Sequence, residues 1–196
     1  PVECGRRTQL PRYVALLDEL AAEAGAPVNA ATVARRYAEV EELLDAVLVQ
    51  VTPGAAALLA TLTPAQREEL AASFADDNEE LREEYSGSTP QERQARRTRA
   101  ALKAMQRFYG RLSPAQRALV TARLAPLADV SEQWLARRQH WQERFLGLLS
   151  PPPAGGLAGA LRDIALDPDQ FDSPGYREQV EVNRRAVFGM LAELSA

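Results

Sequence analysis

A chain of 196 residues with a hydrophobic share of 46% can bury a real core, and fits one domain or one domain with an appendage. Its net charge of −4 and pI near 5.2 argue against a general nucleic-acid binder, which is usually basic. Lys103 is the only lysine, so all but one of the 23 basic residues are arginine, a coding habit of GC-rich genomes rather than a phosphate-binding signature.

The punctuation is helical throughout, and apolar residues never alternate with polar ones long enough to suggest strands. A first helix is expected from Pro11 to Ala24, with Leu10, Val14, Leu17 and Leu20 on one side and Gly25 and Pro27 ending it. The second follows the N-cap Asn29. Its Val33, Tyr37, Val40, Leu44, Val47 and Val51 are spaced 4, 3, 4, 3, 4, which predicts a core stripe. A short third helix is expected over Pro53 to Leu62, capped by Thr52. The fourth runs to Tyr85 with the stripe Leu70, Phe74, Asn78, Leu81, Tyr85, and the fifth from Thr89 to Gly110, a C-terminal glycine. The sixth starts at Ser113, is broken or kinked at Pro126, and later carries Val130, Trp134, Trp141, Phe145 and Leu148. After the stiff connector Pro151-Pro152-Pro153 come Leu157 to Leu166 and a last helix capped by Ser173 with Pro174 at its first position. That last helix has the stripe Tyr176, Val180, Asn183, Val187, Met190, Leu194. Short connections place neighbours antiparallel, so the fold class is an all-α, antiparallel multi-helix bundle of about eight helices. Residues 1–150 make the main bundle and 151–196 a C-terminal extension that packs back on it, one domain overall.

One phrase occurs twice. Leu62-Thr63-Pro64-Ala65-Gln66-Arg67 returns fifty positions later as Leu112-Ser113-Pro114-Ala115-Gln116-Arg117. Each copy reads as a capping box: the hydroxyl of Thr63 or Ser113 accepts from the third helical amide, and Gln66 or Gln116 reaches back to the cap. Pro64 and Pro114 suit the first helical position, where an amide would be orphaned anyway. Leu62 and Leu112 stand where a hydrophobic staple begins, with only the stems of Arg67 and Arg117 to complete it. Thr89, Pro90 and Glu92 form a third version.

The fourth helix is acidic, with Asp76, Glu80 and Glu84 on one face, and the fifth is basic. The tight turn Ser86-Gly87-Ser88 predicts a hairpin that sets the two runs against each other. The sharper alternative leaves Arg96, Arg99, Lys103 and Arg107 exposed for acidic partners or lipid headgroups. A second basic cluster, Trp134, Arg137, Arg138, His140, Trp141 and Arg144, places both tryptophans on one helix face as expected core anchors, with arginine stacking on indole a further option.

Chemistry is sparse. Cys4 is the only cysteine, so no internal disulfide forms, and its PVECGRR context reads as incidental. His140 is the only histidine and sits among arginines, which excludes any multi-histidine metal site. There is no P-loop, GxGxxG or CxxC, and no carboxylate pair stands out; no catalytic, cofactor or metal residue is assigned. No stretch approaches the roughly 18 apolar residues of a membrane span, so the chain reads as a soluble body. Asn78 and Asn183 interrupt apolar stripes, either fixing packing register or lining a groove.

The doubled Leu-Thr/Ser-Pro-Ala-Gln phrase resembles the LTxxQ motif of small helical periplasmic proteins of the Spy and CpxP type, which are chaperones and envelope-stress regulators. The order of RRTQLPRYVALLDEL, LTPAQREEL, DDNEELREEY, LSPAQRALV, WLARRQHWQERFLGLL and LDPDQFDSPGYREQVEVNRR is similar to an uncharacterised proteobacterial lipoprotein family over about Arg6 to Leu194. That resemblance implies an outer-membrane lipoprotein facing the periplasm, its membrane contact made only through a lipid anchor absent from this chain. It supplies no catalytic residues. The functional expectation is a non-enzymatic, chaperone-like binder of other proteins, with no cofactor, using Arg96, Arg99, Lys103, Arg107, Trp134, Arg137, Arg138 and Trp141. A tethered scaffold for one envelope partner, or an enzyme of unrecognised type, are the alternatives.

Overall fold

The computed structural model describes the backbone of residues 2–23, 26–86 and 89–195, and the side chains of these except residues 2–9, 86 and 108. The side chain of Cys4, the stop at Gly25 and the Gly87-Ser88 part of the expected turn lie outside the described residues. Among the described residues eight helices follow in order: α1 Val2–Glu23, α2 Ala30–Leu59, α3 Pro64–Ser86, α4 Pro90–Tyr109, α5 Pro114–Leu124, α6 Ser131–Leu148, α7 Leu157–Leu166 and α8 Tyr176–Ser195. A single 3₁₀ turn, Pro168–Phe171, joins α7 to α8. There is no strand among the described residues, and the all-α bundle is as expected.

Several boundaries differ from the sequence reading. α1 begins at Val2 and carries Pro11 inside it. The expected second and third helices are one, because α2 continues through Pro53. Thr52 is therefore no cap: it is buried mid-helix, and its hydroxyl donates to the Leu48 carbonyl at 2.5 Å. Pro53 removes one intrahelical bond, a cost offset by seating Ala56 in the core beyond it. The break expected at Pro126 is present and divides the sixth helix into α5 and α6. Ser173 and Pro174 do not start α8. Gly175 has φ +79°, a left-handed backbone that ends the turn before the helix, and the Tyr176 amide donates to the Ser173 carbonyl at 3.1 Å.

Two apolar clusters hold the elements. Ala56, Leu148, Leu161 and Ile164 join α2, α6 and α7, with Trp141 and Phe145 packed against them. Val120, Met190 and Leu194 join α5 and α8, with Ala101, Leu102 and Met105 of α4 alongside. α8 also lies on α2, where Tyr37 meets Phe188 with ring centroids 5.4 Å apart. The Ser195 hydroxyl accepts from the Val28 amide at 3.0 Å, which clasps the end of α8 to the α1–α2 connection. The elements after the proline tract thus pack on α2, α5 and α6.

The α2 stripe is a second correction. Leu44 and Val51 are each 52% exposed, and Tyr37 and Val40 are exposed too. The buried positions of α2 are instead Leu43, Thr52 and Ala56, a different face, which meets the rest of the bundle. On α1, Leu10 and Leu17 are 60% and 63% exposed. α2 also contains an 18-residue window of mean hydropathy 1.4, so by length and composition this one helix can cross a membrane, against the sequence expectation. α1 is held to α2 near their connection by ions: Arg36 bonds Glu23 of α1 at 2.7 Å and also reaches Glu19, while Glu39 of its own helix steadies it at 2.7 Å.

The acidic–basic hairpin does not form. α3 packs on α6, and α4 packs on α5. Arg93 pairs with Asp129 at 2.7 Å, and Arg97 donates to the Ala128 carbonyl at 2.9 Å. Asp76, Glu80 and Glu84 stay exposed. Solvent screening answers their repulsion, so charge matching does not choose the partner of α3.

Candidate binding groove

Each copy of the repeated phrase caps a helix. The Gln66 amide donates to Thr63 Oγ1 at 3.3 Å, and the Thr63 amide to Gln66 Oε1 at 2.9 Å. Ser113 and Gln116 repeat this at 3.2 and 2.9 Å, with Pro114 at the first helical position. Thr89 and Glu92 complete a third box. The guanidinium of Arg67 donates to the Leu149 carbonyl and that of Arg117 to the Leu112 carbonyl. The two leucines diverge: Leu62 is half-buried, while Leu112 is 2% exposed and belongs to the core.

The basic residues of α4 divide. Arg99, Lys103 and Arg107 are exposed, with no ion pair among the described residues. Arg96 is half-buried, and its charge helps hold the Glu92 carboxyl below its usual value, after the larger effects of the Thr89 amide and hydroxyl. The expected stripe is thus a three-residue cationic face with Arg96 at its edge.

On α6 the tryptophans differ. Trp141 stacks on Phe145 at 5.2 Å and 10° and anchors the α2–α6–α7 core as expected. Trp134 is 37% exposed and meets only the edge of Tyr85, with centroids 6.2 Å apart, so it is not a core anchor. Neither indole carries an arginine. Arg137 lies over the Tyr176 ring at 5.7 Å, and Arg184 over Tyr37 at 5.2 Å. Arg137 also pairs with Asp172 at 2.7 Å, and Arg138 donates to Asn78 Oδ1 at 3.2 Å, so both are committed inside the fold.

Trp134 divides two hollows. One, of about 360 Å3, lies between α3, α4, α5, α6 and α8, with Tyr85, Leu127, Val130, Trp134, Tyr176 and Val187 in its walls. The other, of about 200 Å3, holds Trp141, Arg137, Arg138 and Phe171 around the same indole. A third, of about 710 Å3, runs between α2 and α8 and shares Val130, Tyr176, Asn183 and Val187 with the first. The third carries charged side chains, among them Glu41, Arg137, Asp172 and Arg184, whereas the first is a largely apolar groove with few polar points.

Those polar points are fixed. Asn183 Nδ2 donates to the Ala128 carbonyl at 3.0 Å, while its Oδ1 is buried and without a hydrogen-bond partner among the described residues. Asn183 therefore both fixes register and lines the groove. Asn78 does the first chiefly, donating to the buried Gln142 at 2.7 Å across α3–α6. Asp129 anchors the α5–α6 connection. Burial raises its pKa, but hydrogen bonds from the Ser131 hydroxyl, Arg93 and the Ser131 amide, with the charge of Arg97, outweigh that and hold it at about 2. Tyr85 and Tyr176 escaped sequence reasoning as site residues. Each heads or ends an apolar stripe, and only the tertiary arrangement opens those stripe ends onto a hollow.

His140 is exposed on α6. Among the described residues no group of three or more His, Cys, Asp or Glu side chains is placed to hold a metal ion. Residues 3–177 match a family of unknown function, DUF6279, and the chain belongs to that family. The match runs from α1 through the 3₁₀ turn and ends as α8 begins. No curated protein and no solved structure matches the chain.

Proposed function

Starting from membership of this family of unknown function, we propose that the protein is a non-enzymatic, chaperone-like binding module of the bacterial envelope. In this reading it is a proteobacterial, lipid-anchored protein of the outer membrane that faces the periplasm, and its two capping phrases are LTxxQ motifs. It takes apolar segments of other polypeptides into the groove around Trp134 and Tyr176. The observation that carries the reading is the groove itself. Aromatic and aliphatic walls are interrupted by one buried, unpaired acceptor, Asn183 Oδ1, which suits a backbone or side-chain N–H of a bound segment. The exposed Arg99, Lys103 and Arg107 add long-range attraction for acidic clients.

Suppression of client aggregation at stoichiometric amounts and low salt tests it. Wild type should suppress, and Trp134→Ala and Asn183→Leu should lose most of the effect while keeping the helical circular dichroism. No suppression across several clients, or full suppression by both variants, refutes the reading. The fixed acceptor also favours a scaffold for one envelope partner. Photo-crosslinking from position 134 to a single dominant envelope protein would select that form.

A further inference from the structure

α1 and α2 each carry an apolar seam that the fold leaves largely exposed, at Leu10, Val14 and Leu17 on α1 and at Val40, Leu44 and Val51 on α2, while Tyr37 packs on Phe188 of α8. On α2, Val33 to Val51 repeat at 4, 3, 4, 3, 4, and on α1 Leu10, Val14 and Leu17 repeat at 4 and 3. A repeat of 3.5 with two apolar positions in seven is the narrow seam of a coiled coil; a helix serving a globular core shows a wider stripe. α2 has that core-serving face as well, at Leu43, Thr52 and Ala56. The seam is therefore additional to what the monomer uses.

We infer that the α1–α2 hairpin is half of an antiparallel four-helix bundle completed by the same hairpin of a second copy. Two observations choose a second copy. First, Leu10, Leu17, Leu44 and Val51 are each more than half exposed. With their seam neighbours they leave on the order of 700 Å2 of apolar surface per chain, above the largest patch of a typical monomer and close to the roughly 800 Å2 per partner of a standard interface. Second, both helices present the same spacing, so a two-fold axis makes the patch self-complementary, seam against seam. The two hollows beside Trp134 are walled by other helices, and Leu17 and Leu44 line none of the three hollows, so dimerisation and client binding can fail separately.

The test is the solution mass by light scattering at micromolar concentration. The expected mass is twice the 21.5 kDa of one chain. Leu17→Glu and Leu44→Glu each place a charge in the seam at a position already exposed in the single chain, so both should keep the helical dichroism. They should raise the dimer dissociation constant at least about 100-fold. If Leu44→Glu fails to fold, Leu44→Asn supplies the same comparison. A wild-type chain that stays monomeric, or a dimer unaffected by either substitution, overturns the inference. So does a monomer that cosediments with phosphatidylethanolamine–phosphatidylglycerol vesicles through these same leucines, since that result assigns the seam to a lipid surface.

Discussion

Met190 is the sharpest probe of the core beneath the groove. It is 1% exposed and sits with Val120 and Leu194 where α4, α5 and α8 meet. Truncation to alanine removes the transfer energy of the lost side-chain atoms and leaves a void that packed neighbours such as Leu102, Met105 and Val187 close only in part. Together these cost about 2–5 kcal/mol. For a chain of this size each kcal/mol moves the midpoint of thermal unfolding by about 2–4 °C, so Met190→Ala should lower Tm by roughly 5–15 °C. Val182, on the same helix, is 46% exposed. Val182→Ala should fall within about 0.5 kcal/mol of wild type. Thermal denaturation followed by circular dichroism compares them directly. If the two variants unfold within about 2 °C of each other, α8 does not pack as described, and the groove that depends on it loses its wall.

Other consequences are as definite. Ser113→Ala removes the acceptor of one capping box and should cost about 1 kcal/mol in urea denaturation, with the midpoint shifted and the slope unchanged. Asp129 titrates at about 2 in the folded chain against an ordinary 3.8, so its contribution is full above pH about 4 and is lost as pH falls through 2. The stability–pH profile of Asp129→Asn should be flatter over that window, and an unchanged slope would remove Asp129 from the account. Arg36→Met should speed hydrogen exchange of α1 amides while leaving α6 unaffected, because Arg36 holds α1 to α2 through two carboxylates, Glu19 and Glu23.

How much of this was legible depends on how local the determining physics is. The boxes at Thr63, Thr89 and Ser113 are read correctly because each is complete within four residues. Thr52-Pro53 and Ser173-Pro174 look alike on paper and are not helix starts. At Thr52 the hydroxyl turns back to Leu48, and at Ser173 the left-handed Gly175 intervenes. Periodicity located an apolar face on α2 but carries no information on what covers it, so Val40 and Leu44 are exposed where a core stripe was expected. Charge runs on α3 and α4 suggested mates. The actual partners, α6 for α3 and α5 for α4, follow from packing at Asn78–Gln142 and Arg93–Asp129, contacts 64 and 36 residues apart. The groove was half legible: Trp134 and Asn183 drew notice, while Tyr85 and Tyr176 needed the fold to bring them within reach of one hollow.

The position of α8 bears on the order of synthesis. It is the eighth helix of the chain, yet Met190 and Leu194 complete the α5 core, Phe188 meets α2, and Ser195 clasps Val28 across 167 residues. α4 and α5 therefore leave the ribosome with Val120 and Leu102 uncovered, and the α1–α2 connection waits unclasped until the last helix emerges. During that interval the nascent chain is itself an apolar client, in need of the same protection from aggregation that the finished groove is proposed to give to others.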